Sequence, residues 1–153
     1  MIACVIERIL IAADGSVACD EAIEYGLQIA ERHGAKVTFF HAMDPVAFTT
    51  WRSNVDAEDG AVRSFPFHLD ASEEAMLADA TRRAEERGVE SSVAIGSGEP
   101  VAEIIAHAES IDADLIVVGS RGRQEVASSS LGSVSRGVLH GAPRPVLVVR
   151  HKL

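Results

Sequence analysis

Lysine is nearly missing from this 153-residue chain. Only Lys36 and Lys152 occur, so the 14 basic residues are almost all arginine. Against 23 acidic residues they leave a formal net charge of −9. Nonspecific binding to nucleic acid or to an acidic membrane needs a basic surface, so both partners are disfavoured. An anionic ligand would have to be held by local geometry, because the net field repels it. Cysteine is equally scarce. Cys4 and Cys19 are too few for a disulfide scaffold and form no C-x-x-C pair, which suits reduced thiols in a reducing compartment. The apolar stretch at the N-terminus, Met1 to Leu10, is interrupted by Glu7 and Arg8. It is too short and too charged for a signal peptide or a membrane span. These absences lead to the expectation of a cytoplasmic protein.

What is present is enough to build a core. Apolar residues make up 47% of the chain, which argues against disorder. The length matches one domain on the prior of roughly 100–200 residues per domain. A domain of that size buries roughly 70% of its unfolded surface.

Ile9-Leu10-Ile11-Ala12-Ala13 is apolar without alternation, the pattern of a strand covered on both faces. Asp14-Gly15-Ser16 ends it. Ala18 to His33 repeats apolar residues at helical spacing and stops at Gly34. Gly26 inside that helix is costly, and a close approach of helix to sheet would explain it. Lys36 to Met43 reads as a second strand, closed by Asp44-Pro45. Residues 46–68, with Trp51, Gly60 and Pro66, lack periodicity and read as a long loop or a partly helical excursion. Asp70 to Arg87 reads as a helix with capping-box spacing between Asp70 and Glu73 and a stop at Gly88. Its Glu- and Arg-rich face is most simply a solvated one. Val89, Ser91, Val93 and Ile95 alternate, as in an edge or half-covered strand. Gly96 to Glu99 turn into a helix with Pro100 in its first turn. Ala113 to Val118 reads as another buried strand, Gly119 to Gly132 as a long loop, Ser133 to His140 as a short helix and Pro145 to Arg150 as the last strand.

Strands alternating with helices imply an α/β fold, an open five-stranded parallel sheet with helices on both faces. Ligands in such folds bind beyond the carboxyl ends of the strands, where the strand order reverses. Three strand ends therefore matter: Asp14-Gly15-Ser16, Ala42-Met43-Asp44 and Gly119-Ser120-Arg121-Gly122. The last opens the pattern Gly119-x2-Gly122-x9-Gly132-Ser133. Glycine there lets backbone N–H groups converge on a phosphate. Ser133 would add its hydroxyl at the positive N-terminus of the next helix. The plainer alternative is a flexible Gly/Ser loop closed by a serine cap, but its position between a buried strand and a helix is what a phosphate loop requires. There is no G-x-x-x-x-G-K-[ST], and Gly96-x-Gly98 lacks the third glycine of the dinucleotide fingerprint.

The spacing G-x2-G-x9-G-[ST] is similar to that of the ATP-binding branch of the universal stress protein family. The rest of the chain resembles that family too: Ile9 to Ser16, Phe39 to Pro45, Asp112 to Gly122, Leu131 to Arg136 and the final Pro145 to Arg150. The resemblance implies a Rossmann-like sheet of the adenine nucleotide alpha hydrolase type, with ATP, ADP or AMP between the first and fourth strand ends and Mg²⁺ as a possible companion ion. It implies that Ala12, Ala13 and Asp14 meet the adenine or ribose side, and that Ala42 and Met43 meet the adenine ring. Gly119, Gly122, Gly132 and Ser133 would hold ribose and phosphates, with Arg121 and Val134 as secondary contacts and Val118 and Ser120 completing the site. It also implies a homodimer, for which the apolar edge strand Val146 to Val149 is a natural contact. Ala12-Ala13 departs from the proline and small β-branched residue often found there in the family.

Other readings compete at single positions. Asp14 could contact a ligand or make an Asx turn before the helix, and contact is favoured. His41, inside a buried strand, reads as a hydrogen-bonded core residue. His33, His68, His107, His140 and His151 show no metal-ligand spacing and read as surface residues. No catalytic triad, carboxylate pair or metal cluster emerges. Hydrolysis, or autophosphorylation of Ser128, Ser129, Ser130 or Ser133, would need a metal-holding acid that Asp14 alone barely supplies. A protein of the same fold that binds partners without nucleotide is the alternative.

Overall fold

The computed structural model of the chain describes residues 5–43, 69–122 and 131–151. The expectations for 46–68, Trp51, His68, Cys4 and Ser128 to Ser130 lie outside them. Among the described residues five strands and four helices alternate: β1 (Arg8–Ala12), α1 (Val17–His33), β2 (Lys36–Met43), α2 (Ala71–Glu86), β3 (Ser91–Ser97), α3 (Pro100–Ser110), β4 (Leu115–Gly119), α4 (Ser133–Gly141) and β5 (Val146–Val149). The strands form one parallel sheet in the order β3-β2-β1-β4-β5. β1 is the centre, in register with β2 through Ile9 opposite Val37 and with β4 through Ile9 opposite Leu115.

The non-alternating runs become the innermost strands for the reason their composition gives. Ile9, Leu10 and Ile11 are all fully buried, which requires a layer on each face of the sheet. Successive side chains of a strand point to opposite faces, so each run feeds two cores. Ile9, Ile11, Val37, Phe39 and Val117 pack with Leu27 of α1 and Leu77 of α2. Leu10, Phe40, Ile116 and Val118 pack with Ile104 of α3 and Val138 of α4. β3 and β5 are the edges, as the alternation in β3 suggests; Val93, which that alternation would put on the covered face, is 43% exposed.

The helix ends follow local chemistry. Ser16 caps α1 by accepting from the Cys19 N–H, and Gly34 ends it at φ 67°, a left-handed conformation that glycine adopts without Cβ strain. The capping box of Asp70 and Glu73 is complete at α2. Glu99 caps α3 ahead of Pro100. A Cβ on Gly26 would come within 2.9 Å of Ile11 Cγ1, so that glycine sets how closely α1 lies on the sheet. At the amino end of the sheet, Asp114 Oδ2 accepts from the Glu7 and Arg8 N–H groups at 2.9 Å each. Asp112 pairs with Arg144 at 2.9 Å and lies 3.9 Å from Arg8. Arg144 holds the Asp112 carboxyl below its ordinary range.

Several expectations need correction. Gly96 belongs to β3, and only Gly98 turns the chain, at φ 147°. Gly119 ends β4 instead of opening the loop. The N-cap of α4 is Gly132, with Ser133 as the first helical residue. The charged face of α2 is not merely solvated. Arg83 bonds Asp20 and Glu24 of α1, and Arg87 bonds Glu24 and Glu31, so the two helices are cross-linked by charge. His107 is half-buried, its ring stacked on Phe40 at 5.0 Å between centroids.

Candidate functional site

The chain runs outward from β1 through β2 to β3, then crosses back to β4 and β5. Loops leaving the carboxyl ends of β1 and β4 therefore diverge and leave a cleft between them. A cavity of about 570 Å³ occupies that place. β1 brings Ala12, Ala13 and Asp14, and β2 brings Phe40, His41, Ala42 and Met43. β4 and the turn after it bring Val118, Gly119, Arg121 and Gly122, and the start of α4 brings Gly132, Ser133, Val134 and Ser135. Gly98, Pro100 and Ile104 close the side under α3, and Cys19 and Glu73 come from α1 and α2.

The glycines have different reasons. A Cβ on Gly119 would lie 2.8–2.9 Å from the backbone of Ala18 and Cys19. Backbone cannot step aside as a side chain can, so this glycine is required by the packing of α1 on the strand end, whatever the cavity holds. A Cβ on Gly122 would sit 3.4 Å from Asp14 Oδ2, an ordinary contact on the rim of the cleft. Here no contact among the described residues demands glycine.

Hydrogen bonds pin both ends of the segment between β4 and α4. The Ser16 hydroxyl donates to the Arg121 carbonyl at 3.3 Å while accepting from Cys19 N–H at 3.0 Å. The Ser120 carbonyl accepts from Gly132 N–H at 2.7 Å and from the Ser135 hydroxyl at 3.1 Å. Ser120 itself is buried, its N–H given to the Val149 carbonyl. These bonds bring Gly132 and the N-terminus of α4 back beside the end of β4. A helix N-terminus carries the positive end of the macrodipole, and here it faces the cleft without any lysine.

Asp14 makes the Asx turn: its Oδ1 accepts from Ser16 N–H at 2.8 Å. The turn was the less favoured reading of this residue, yet Asp14 also lines the cavity. Cys19 accepts from Asp14 N–H at 3.3 Å through its sulfur. Burial, with the charge of Asp14 beside it, pushes the Cys19 thiol up to about 11. A thiol so placed stays protonated at neutral pH and is no nucleophile. His41 is buried between the Ala13 carbonyl, 2.8 Å from Nδ1, and Glu73 Oε1, 3.0 Å from Nε2. It is the hydrogen-bonded core histidine expected from the strand.

Of the residues singled out from sequence, all line the cavity except Ser120, whose polar backbone groups clamp the loop from behind. Sequence reasoning missed Cys19, Phe40, Glu73, Gly98, Pro100, Ile104 and Ser135. Two had a usable signal, since Glu73 and Pro100 mark helix N-termini that point toward the carboxyl edge of the sheet. Among the described residues no group of three or more His, Cys, Asp or Glu is placed to hold a metal ion. Nor is any described helix long and apolar enough to cross a membrane.

The comparisons with known proteins agree with this architecture. Over 145 residues the chain is 30% identical to universal stress protein YxiE of Bacillus subtilis (strain 168), covering 94% of this chain and 98% of that protein. Its fold matches that of universal stress protein UspA from Lactobacillus plantarum with a TM-score of 0.73 and 27% identity, covering 95% of this chain and 99% of the other. It also matches a universal stress protein crystallised in complex with cAMP, with a TM-score of 0.67 and 25% identity over 95% of this chain and 98% of that one. The model of the universal stress protein family matches residues 6–150, and with that span this chain belongs to the universal stress protein family.

Proposed function

We propose that the cavity holds an adenine nucleotide, ATP or its shorter forms ADP and AMP, and that occupancy tunes conformation or partner affinity in a stress response. One observation carries this reading: the pinned Gly122 turn and the N-terminus of α4 face an apolar floor across a single cleft at the switch point of the sheet. The floor, with Ala12, Phe40, Ala42 and Ile104, suits a flat base. The rim, with Arg121, Gly122, Gly132 and Ser133, suits phosphate oxygens through N–H groups, a hydroxyl and one cation. A volume of about 570 Å³ falls within the roughly 300–1,000 Å³ of small-molecule sites. The relative crystallised with cAMP supports an adenine nucleotide, and the G-x2-G-x9-G-S spacing favours a longer phosphate chain. Mg²⁺ would accompany the triphosphate and shield its charge, with Asp14 the nearest lining carboxylate.

The site suits holding ATP more than turning it over. Phosphoryl transfer needs a metal-holding acid and a positioned nucleophile. Asp14 has one oxygen committed to the Asx turn, and Cys19 stays protonated. The protein is read as a single universal stress protein domain. The edge strand β5 supports a homodimer, since a second copy would cover its outer side. Heat release of small molecules from freshly purified protein, followed by mass spectrometry, tests the proposal. Recovery of ATP, ADP or AMP in near-stoichiometric amount is expected. Finding no adenine nucleotide, in protein that also fails to take up added ATP, contradicts it.

A further inference from the structure

The base-side wall contains a pair of side chains, His41 and Glu73, that the nucleotide reading leaves without a task. His41 is only 5% exposed. Its Nδ1 lies 2.8 Å from the Ala13 carbonyl oxygen, and its Nε2 lies 3.0 Å from Glu73 Oε1. The second carboxylate oxygen, Glu73 Oε2, accepts from Asp70 N–H at 2.9 Å, and Asp70 Oδ1 accepts from Glu73 N–H at 2.8 Å. A continuous line of hydrogen bonds thus runs from the end of β1, through the end of β2, to the N-terminus of α2.

The chemistry of the acceptors fixes where the protons are. A carbonyl oxygen only accepts, so the Ala13 contact places a proton on Nδ1. A neutral imidazole has one N–H, which leaves its Nε2 an acceptor. An ionised carboxylate is also acceptor-only, and two acceptors do not bond at 3.0 Å. The contact therefore requires one further proton, carried by the ring or by Glu73. With the proton on the ring the bond is charge-assisted, roughly twice as strong as a neutral one; with the proton on Glu73 it joins two neutral groups. It holds in a wall that the ligand would touch.

We infer that His41 and Glu73 are a proton-sharing positioning pair, which holds the Ala13 carbonyl in the base-side wall and ties it to the N-terminus of α2. The inference rests on the adenine nucleotide reading. Its consequence is that binding of the base and docking of α2 are coupled. The charge pairs from Arg83 and Arg87 to Asp20, Glu24 and Glu31 extend that link to α1. Because the pair touches the base-side wall and the rim for phosphates comes from other elements, it should matter alike for ATP, AMP and adenosine. A buried pair that is merely structural would lower stability and leave affinity unchanged in the folded variants.

Two measurements separate these cases. The first is ¹⁵N NMR of the His41 imidazole at neutral pH in wild type and in Glu73→Gln. Wild type is expected to carry a proton on Nδ1. In the variant the amide donates to Nε2 and its oxygen accepts from Asp70 N–H, so the ring should be neutral with its proton still on Nδ1. A ring protonated on Nε2 alone overturns the inference. The second is calorimetry with ATP, AMP and adenosine on wild type, Glu73→Gln and Glu73→Ala. Glu73→Ala should weaken all three by about tenfold, the size of one lost buried hydrogen bond. Glu73→Gln should stay within about threefold of wild type, because it keeps both bonds. Equal binding by all three proteins, a loss confined to ATP, or no rescue by glutamine overturns the role of the pair. If Glu73→Ala does not fold, the wild-type and glutamine spectra still decide the proton placement. Wild type that binds none of the three compounds overturns the nucleotide reading itself, and this inference with it. Binding by wild type with unchanged variants sinks only the pair.

Discussion

The two ends of this sheet are built on opposite plans. At the amino end, side chains close the structure upon itself. Asp114 caps the backbone of residues 7 and 8, and Arg144 reaches from the loop before β5 to Asp112 and to the Ala113 carbonyl. At the carboxyl end, short side chains hold backbone carbonyls in place without filling the space between the strand ends. Ser16 and Ser135 hold carbonyls of the β4–α4 segment from outside, and Gly119 lets α1 touch the strand directly. The lining side chains and the N-terminus of α4 are left facing a cleft. One end closes upon itself, and the other holds its backbone around a space. The same parallel sheet supports both, because only the carboxyl ends of β1 and β4 diverge.

Substitutions at the two ends should therefore have different effects. The largest effect is expected at Gly119. In Gly119→Ala the new methyl meets backbone on α1, so unfolding free energy should fall by about 3 kcal/mol in chemical denaturation, at the upper end of overpacking costs. An alanine variant as stable as wild type would show that the helix does not lie so close. A smaller effect is expected at the other end. Asp114→Ala leaves two backbone donors without their acceptor at a partly exposed site, and should cost about 1 kcal/mol. Ligand affinity should be unchanged, since this residue is at the far end of the sheet. A clear loss of nucleotide binding in that variant would mean that the two ends are coupled.

Much of the fold could be read from local pattern. Ile9 to Ala13 and Leu115 to Val118 have no polar face, so only a doubly covered strand accommodates them. Asp70 with Glu73, and Gly34, marked helix ends through chemistry confined to a few residues. The cleft was legible for a related reason: strand ends followed by glycine are local signals. What escaped depends on residues far apart in sequence. Gly119 reads as a phosphate glycine until Ala18 is found against it. Ser120 was grouped with the lining, yet its carbonyl is the anchor for Gly132 and Ser135. Glu73 was visible only as a helix cap, because its partner His41 is 32 positions away. His107 looked like a surface histidine because nothing nearby in the chain announces Phe40 beneath it.

On the proposed function, the carboxyl end holds an adenine nucleotide against the Gly122 turn. Calorimetric titration of ATP with Mg²⁺ into wild type and Gly122→Val tests it most directly, because among the described residues a Cβ there meets only Asp14 Oδ2, at 3.4 Å. Saturable binding by wild type is expected, with affinity at least about tenfold lower in the variant, a loss of about 1.4 kcal/mol. Stability should stay within about 0.5 kcal/mol of wild type, as for a substitution outside the core. Absence of binding to folded wild type, or equal affinity in the two proteins, would contradict the account.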